Sequence, residues 1–502
     1  MLTSRLPRAG RVVLAGGAGV LATLGHPPAN LPLATVIGYS ALLVVLRGSG
    51  AAAGAAGGLS FGATMFAVLL SWSARFGAPA VAALAVSQAV FLVPLGVVSS
   101  SRLPRWRWVA ATSATLTLSE AVRARGPLGG FEWGQLGYVW HATPVRGLAA
   151  LVGVLGLTAL TAAASAVLAT TQRPRRLPRA GTAAVVVAAV VMVGVAAARE
   201  WTAPAGGLDV AVVQVAPVCV GPVVRCPDED ELLFEAFTRA TRESGARPAL
   251  FVWGEAALGG DSLERAGRRA VTEAGVRSKL LAGVTSPAGP GRFFNSNVLY
   301  DSAGAVVYRY DKRHPVPFGE YVPWRSVVGG VADVDTLVPS DMMAGGEPGR
   351  VPVNAAVLGT VSSFEASFSR EVRAAAADPT VHGVAVLTSQ ASYGPSPVSA
   401  QFLAMARMRA AELGKPVVVA ATTGRSALFD ARGGVVDVGP LLQPAVLEVR
   451  MGLRSGTTPF GRSGDAPLIA ASAFTLAVAA AAGRVRRLVS AARRRAPLYD
   501  TS

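Results

Sequence analysis

LDVAVVQV, residues 208–215, is the stretch on which the fold of this chain turns. Upstream of it lie long runs rich in Ala, Gly, Val and Leu; from Leu208 onward, short β-branched runs alternate with polar, helix-like ones. The helical segments are DEDELLFEAFTRATRES (228–244), SREVRAAAA (369–377) and QFLAMARMRAAELG (401–414). Between and around them fall PALFVW (248–253), KLLAGVTS (279–286), SNVLYDS (296–302), AVVYRYD (305–311), VPVNAAVLGTV (351–361), GVAVLTS (383–389) and PVVVAATT (416–423). Val-rich strands interleaved with helices predict a layered α/β domain with buried strands over about 207–453. Periodicity alone does not choose among such folds.

The rest of the chain is too apolar for a soluble protein. Hydrophobic residues make up 51% of the 502 and charged ones 15%, which predicts a membrane protein. Windows of spanning length fall at 12–25, 32–46, 52–72, 78–99, 108–122, 146–170, 181–198 and 466–483, about eight spans in all. The first has no small-residue cleavage site and is followed at once by others, so it is read as a span, not a removable signal. A net charge of +17 raises nucleic-acid binding, but the arginines sit at the edges of apolar runs: Arg102, Arg105 and Arg107; Arg173, Arg175, Arg176 and Arg179; and the tail from Arg484 to Arg495. That is the positive-inside pattern, and no nucleic-acid partner is expected. It puts the N-terminus and the basic tail 484–502 inside, and the α/β domain on the outer face. No span carries a convincing buried charge pair, which argues against a transporter; Glu120 and Arg123 are the nearest candidates.

The two cysteines, Cys219 and Cys226, lie seven residues apart in the exported stretch. A local disulfide and two free thiols both remain open. No phosphate-binding Gly-rich loop, no nucleophile elbow of the GxSxG kind and no metal-spaced His/Cys cluster occurs, so neither metal nor cofactor is expected. His314 reads as a solvated or hydrogen-bonded loop histidine.

Three charged positions stand at strand ends. Glu255 ends the apolar run LFVWGE, where an acid is costly unless paired or working. Lys312 and Glu320 lie in YDKRHPVPFGEYVP (310–323), and Lys312 is one of only three lysines among 47 basic residues. A lysine kept where arginine is the habit points to a need for a compact ammonium. Ser363 and Glu365 lie in GTVSSFEASFSREVR (359–373), between a strand and a helix.

The resemblance becomes specific at these motifs. YDKRHPVPFGEYVP resembles the lysine motif of the apolipoprotein N-acyltransferases, VWGEAAL (252–258) their glutamate motif with Gly254 for the usual proline, and GTVSSFEASFSREVR their nucleophile motif. TLGHPPANLPLA (23–34), SEAVRARGPLGGFEWGQLGY (119–138) and the segment from QFLAMARMRAAELG through ARGGVV (431–436) are similar to other stretches of that family, in the same order. The resemblance implies a polytopic protein of a bacterial cytoplasmic membrane with an extracytoplasmic nitrilase-like α-β-β-α domain. It further implies that Glu255 is the general base, that Lys312 stabilises the oxyanion, that position 363 holds the nucleophile, and that Glu320 and Glu365 orient Lys312 and the elbow; loop ion pairs are the plainer reading of the last two. Its substrates would be a phospholipid acyl donor and a diacylglyceryl lipoprotein acceptor. Phe318, Tyr321 and Trp324 would form a lid at the membrane interface, with core packing as the alternative.

Two departures stand out. The nucleophile position carries Ser363 where the family has cysteine, and Ser362 before it is no cysteine either. In LTSQASYGPSP (387–397), Gln390 and Tyr393 replace an Asn-Asp-Ala-Trp-like run near the expected pocket. A hydroxyl is a far weaker acid than a thiol, and serine nucleophiles normally use His or Lys as base. Two functions are therefore expected: an N-acyltransferase working through Ser363, or a catalytically impaired paralogue that binds phospholipid or lipoprotein and supports an active partner.

Overall fold

The computed structural model of the chain describes residues 7–171, 193–195, 199–219, 226, 228–260, 262–328 and 338–495. The expected span 181–198 therefore falls almost wholly outside the described residues, as do the last residues of the basic tail.

The N-terminal part is a helical bundle: α1 (Arg8–Thr23), α2 (Pro32–Leu46), α3 (Ala51–Leu69), α4 (Ala78–Ser99), α5 (Arg105–Arg123) and α6 (Ala149–Thr171). Three helical stretches, Ala51–Leu69, Ala78–Ser99 and Pro144–Thr171, are long and apolar enough to cross a membrane, and Pro32–Leu46 and Ala466–Ala481 are shorter apolar helices. Small residues let the helices close up, as a membrane bundle requires. A Cβ on Gly54 of α3 would sit 2.4 Å from the Gly96 carbonyl oxygen of α4, so neither glycine tolerates a side chain there.

The turns alternate between two ends. At one end Gly48 N–H donates to the Ser100 carbonyl at 3.0 Å and Arg47 lies over the Trp108 ring. At the other, every turn meets the α/β domain: Gln401 donates to the Leu69 carbonyl at 3.0 Å, Arg75 to the Ser392 carbonyl at 3.0 Å and Arg146 to the Arg432 carbonyl at 2.9 Å. Arg102 and Arg105 thus lie at the end remote from the domain.

One expectation is corrected here. Glu120 and Arg123 do form a buried pair, at 2.5 Å with side chains 2% and 1% exposed. Arg123 also donates to the carbonyls of Phe131 and Trp133 at 2.7 and 2.8 Å. The pair forms because one helical turn brings the two charges together at the end of the helix; the backbone bonds give it a role in holding the 124–140 loop.

The α/β domain is two stacked sheets between helices. Strands β1 (Ala203–Gln214), β2 (Leu250–Gly259), β3 (Lys279–Pro287), β4 (Arg292–Tyr300), β5 (Val306–Asp311) and the short β6 (Asp341–Met342) form the first sheet with β13 (Ala445–Ser455), in the order β13-β1-β2-β3-β4-β5, with β6 beside β4. The second runs β12-β11-β10-β9-β8-β7, from β7 (Gly349–Val353), β8 (Ala356–Ser362), β9 (Gly383–Thr388), β10 (Val417–Ala421), β11 (Ala427–Phe429) and β12 (Val435–Val438). Val210, Val252 and Leu281 of one sheet pack on Leu358, Leu387 and Val418 of the other. Helices α7 (Glu229–Ser244) and α8 (Leu263–Ala274) cover the first sheet through Phe237 and Val271. Helices α9 (Ser369–Ala376) and α10 (Val398–Leu413) cover the second, and their core is continuous with that of the bundle. That shared core is why α10 reads apolar almost all round: a helix buried on every side loses its polar face.

Glu412 of α10 ties the two parts together. Helix α6 breaks at Gly153, whose φ of 67° only glycine takes up readily, and the Val154 N–H then donates to the Glu412 carboxylate at 2.8 Å. The final helix, α11 (Ala466–Arg495), packs along α5 and runs unbroken past residue 483, where the apolar window ends. Cys219 and Cys226 are joined in a disulfide.

Candidate active site

Strand β2 brings Glu255 to the site by breaking its own ladder. Pairing with β3 shifts between Trp253 and Leu258, and Ala256 has a φ of 53°. Such a bulge re-aims the side chain. Gly254 makes it fit: a Cβ there would lie 2.2 Å from the Thr422 backbone nitrogen. The Thr422 hydroxyl then donates to the Glu255 carbonyl at 2.6 Å.

The Glu255 carboxylate is buried and fully engaged. One oxygen accepts from Asn295 Nδ2 at 2.8 Å and lies 3.4 Å from Lys312 Nζ; the other accepts from the Ser389 N–H at 2.9 Å. Lys312 follows β5, is wholly buried, and meets the Glu320 carboxylate at 2.5 Å. Burial works against its charge, but Glu320 and Glu255 outweigh that, and the ammonium is held above its ordinary range. Glu320 is itself pushed up, by burial first, with the Lys312 charge opposing. Its other oxygen accepts from the Val316 N–H at 2.7 Å, folding the loop back on the lysine.

Ser363 sits in the turn that leaves β8, with a φ of 48°, a backbone region that disfavours a residue bearing Cβ. Glu365 holds that turn. Its carboxylate accepts from the N–H groups of Ser362 (2.7 Å), Arg313 (2.7 Å) and His314 (3.0 Å) and from the Tyr310 hydroxyl (2.7 Å). One buried acid thus pins the lysine loop to the serine turn. Burial, the largest effect, pushes its pKa to about 7 despite those donors. The Ser363 hydroxyl has one hydrogen-bond partner among the described residues, Thr388 Oγ1 at 3.2 Å.

The expected residues therefore converge from β2, the loop after β5 and the turn after β8. Phe318 and Trp324 are 53% and 68% exposed, with φ of 61° and 49°, so neither is a core residue; Tyr321 is half-buried between them. Gln390 is buried: its Oε1 accepts from the Ser399 hydroxyl and its Nε2 has no partner among the described residues. Tyr393 packs edge-on against Trp72 at 5.2 Å, on the α3–α4 turn of the bundle. Of the two alternatives for His314, the hydrogen-bonded one holds: the ring is buried, Arg370 lies 3.4 Å from its Nδ1, it packs tilted against Phe368 at 4.2 Å, and burial, then Arg370, lowers its pKa to about 4. The motif's charge disguised this, since the covering ring comes from a residue far along the chain.

Sequence reasoning missed Asn295, Tyr310, Thr388, Ser389 and Thr422. One signal was present: Asn295 and Asn297 are polar residues two apart in the apolar strand RFFNSNVLY, hence on one face. Asn297 bridges the sheets, donating to Thr360 Oγ1 at 2.8 Å and accepting from Ser362 Oγ at 2.9 Å.

A sandwich with an acid, a lysine and a nucleophile-position turn at its strand ends, carried on a helical bundle, has counterparts of known class. The chain matches the carbon-nitrogen hydrolase family over residues 275–450, which makes the sandwich a nitrilase-like domain. Residues 18–167 match the family described as the apolipoprotein N-acyltransferase N-terminal domain. Curated relatives extend over both halves. The apolipoprotein N-acyltransferase of Vibrio vulnificus (strain CMCP6) is 25% identical over 93% of this chain and 96% of its own length, and that of Methylococcus capsulatus (strain Bath) is 28% identical over 91% and 93%. The chain belongs to the apolipoprotein N-acyltransferase family, a family of acyltransferases in the nitrilase superfamily. Among solved structures, an amidase of the nitrilase superfamily from Nesterenkonia AN1 is similar at 20% identity and a TM-score of 0.37, over 52% of this chain and 96% of that one.

Proposed function

We propose that this protein transfers an acyl chain from a phospholipid to the α-amino group of the N-terminal diacylglyceryl-cysteine of lipoproteins, with Ser363 at the nucleophile position, Glu255 as general base and Lys312 as oxyanion holder. The observation that carries this reading is the convergence of buried Glu255 and Lys312 and part-buried Glu320 beside a Ser363 held at positive φ; strain of that kind persists where function needs it. In the first step Ser363 Oγ forms a bond to the ester carbonyl carbon while its proton passes to Glu255. The oxyanion takes the Lys312 ammonium, which the two neighbouring carboxylates keep charged and therefore unfit to act as base. Collapse breaks the ester C–O bond, and the lysophospholipid leaves with the proton. The lipoprotein amine then attacks the acyl-serine carbonyl carbon and gives a proton to Glu255; the acyl C–Oγ bond breaks, Glu255 returns that proton to Ser363 Oγ, and the amide product leaves. No metal or cofactor enters the scheme.

The chain is read as about eight spans with domains at 1–200, 207–453, 466–483 and a basic tail 484–502, in the cytoplasmic membrane of a bacterium, with the sandwich on the outer face and Phe318, Tyr321 and Trp324 as the lid. Gln390 Nε2, buried without a partner among the described residues, is free to meet a substrate carbonyl.

A second reading, the impaired paralogue, is favoured by one observation: the Ser363 hydroxyl bonds to Thr388 and not to a carboxylate. The purified chain in phospholipid micelles, given a diacylglyceryl lipopeptide and followed by mass shift, separates the two. Transfer by the wild type that Ser363→Ala abolishes establishes the serine enzyme. Transfer only by Ser363→Cys identifies the impaired paralogue, since a thiol ionises far more readily before the same base, with about tenfold in rate for each 1.4 kcal/mol of barrier. Lipid binding without transfer by any variant refutes the roles given to Glu255 and Lys312.

A further inference from the structure

A cavity of about 380 Å³ whose lining includes none of Glu255, Lys312, Glu320 and Ser363 lies where the first turns of α9 and α11 meet the end of α5. Arg125, Arg370 and Arg373 line it on one side, Ile469 and Ala473 of α11 on the other, and Asp465 is its one acid. Arg125 pairs with Asp465 at 3.2 Å, and Arg370 is held by Glu371 at 3.1 Å and by the carbonyls of Ala124 and Gly129. Arg373 has only one long bond, to the Gly461 carbonyl at 3.5 Å, and no carboxylate among the described residues. The cavity is therefore left with uncompensated positive charge.

Its position decides what that charge meets. The wall below the arginines is the apolar start of a helix whose outward residues, Phe474 (71%) and Val478 (48%), are exposed. A span so placed puts hydrocarbon beside Ile469 and Ala473 and the lipid phosphates at the level of the arginines. Guanidinium groups take phosphate oxygens in forked pairs. We propose that this cavity binds the phosphate of an intact phospholipid whose acyl chains run down α11, at a site separate from acyl transfer. The inference rests on reading α11 as a membrane span with the sandwich on its outer side.

The test is native mass spectrometry of the full chain in detergent with added phosphatidylglycerol. Arg373→Gln lowers the apparent affinity of one bound lipid by about tenfold, the scale of one charge-assisted hydrogen bond. Arg373→Lys, which keeps the charge, restores most of it, and Arg462→Gln, on the neighbouring helical turn Pro459–Ser463 but outside the cavity lining, changes nothing. Diacylglycerol, with the tails but no phosphate, does not compete. Equal lipid affinity in wild type and Arg373→Gln overturns the proposal. Equal competition by inorganic phosphate at the same concentration overturns the lipid as occupant. A raised KM for the phospholipid donor in the Ser363→Cys, Arg373→Gln double variant overturns the separateness, because the cavity would then belong to the donor site. Acyl transfer by Ser363→Cys with no change in lipid binding on Arg373→Gln sinks this inference alone.

Discussion

Replacing Glu365 by glutamine tests whether one buried acid really couples the lysine loop to the serine turn. Burial raises its pKa from 4.5 to about 7, although four donors favour the charged form. For an acid raised in the folded state, the protonated form is favoured on folding. Its contribution is fully present below the unfolded pKa near 4.5 and is lost as pH rises through 7. Ionising Glu365 therefore costs the wild type about 2 kcal/mol by pH 6 and about 3 kcal/mol by pH 8, at about 1.4 kcal/mol per unit. Glutamine resembles the protonated acid at three of the four contacts: with its amide toward Tyr310 the tyrosine hydroxyl can turn and accept, and the oxygen still takes the Arg313 and His314 N–H groups, but the Ser362 N–H loses its acceptor. Near pH 4.5 Glu365→Gln should therefore be less stable than the wild type by about 1–3 kcal/mol, the pH-independent cost of that one unsatisfied donor. Glu365→Gln should then gain on the wild type as pH rises, by about 6 to 12 °C at pH 8, taking about 2–4 °C per kcal/mol. Thermal denaturation in detergent across pH 4.5–8 reads the difference, which cancels groups common to both. Parallel curves would refute the raised pKa; a constant large deficit for Glu365→Gln would show that the charged hydrogen bonds, not burial, dominate.

Lys312→Met should leave Glu255 and Glu320 facing each other without their cation, costing about 3–5 kcal/mol, and should abolish any transfer by Ser363→Cys; retained transfer would refute the oxyanion role. Gly254→Ala forces a Cβ to 2.2 Å from a backbone nitrogen, and overpacking of this kind should cost about 1–3 kcal/mol in denaturation, whereas an unchanged midpoint would mean that β2 can move there. A reporter fused after Arg484 should read cytoplasmic and one inserted near Gly289 external, and an external C-terminal reporter would overturn the eight-span count.

Much of the sandwich was legible because its strands are buried on both faces and so read as Val-rich runs. The C-terminal strand β13 was not. Its alternating AVLEVRMGLRS pairs antiparallel with β1, more than two hundred residues away, and nothing local marks that partner. Helix α8 escaped because LERAGRRAVTEA has little apolar surface to announce it. At the site, Glu255, Lys312, Glu320 and Glu365 stood out as charges where charge is expensive. Neutral partners such as Thr388 and Thr422 did not, since a threonine at a strand end is unremarked until its neighbours across the sheet are known. The Glu120–Arg123 pair was misread for a like reason: charged residues look solvated until a distant segment closes over them.

Helix α10, hemmed in by the second sheet on one side and the bundle on the other, has a consequence for how the chain can be divided. An excised sandwich would present Phe402, Met405 and Met408 to water and, with them, a greasy strip that solvent cannot cover. The sandwich is therefore no detachable module: its last layer is finished only when the helices of the bundle are in place against it, so the bundle must assemble before that layer of the α/β domain is complete.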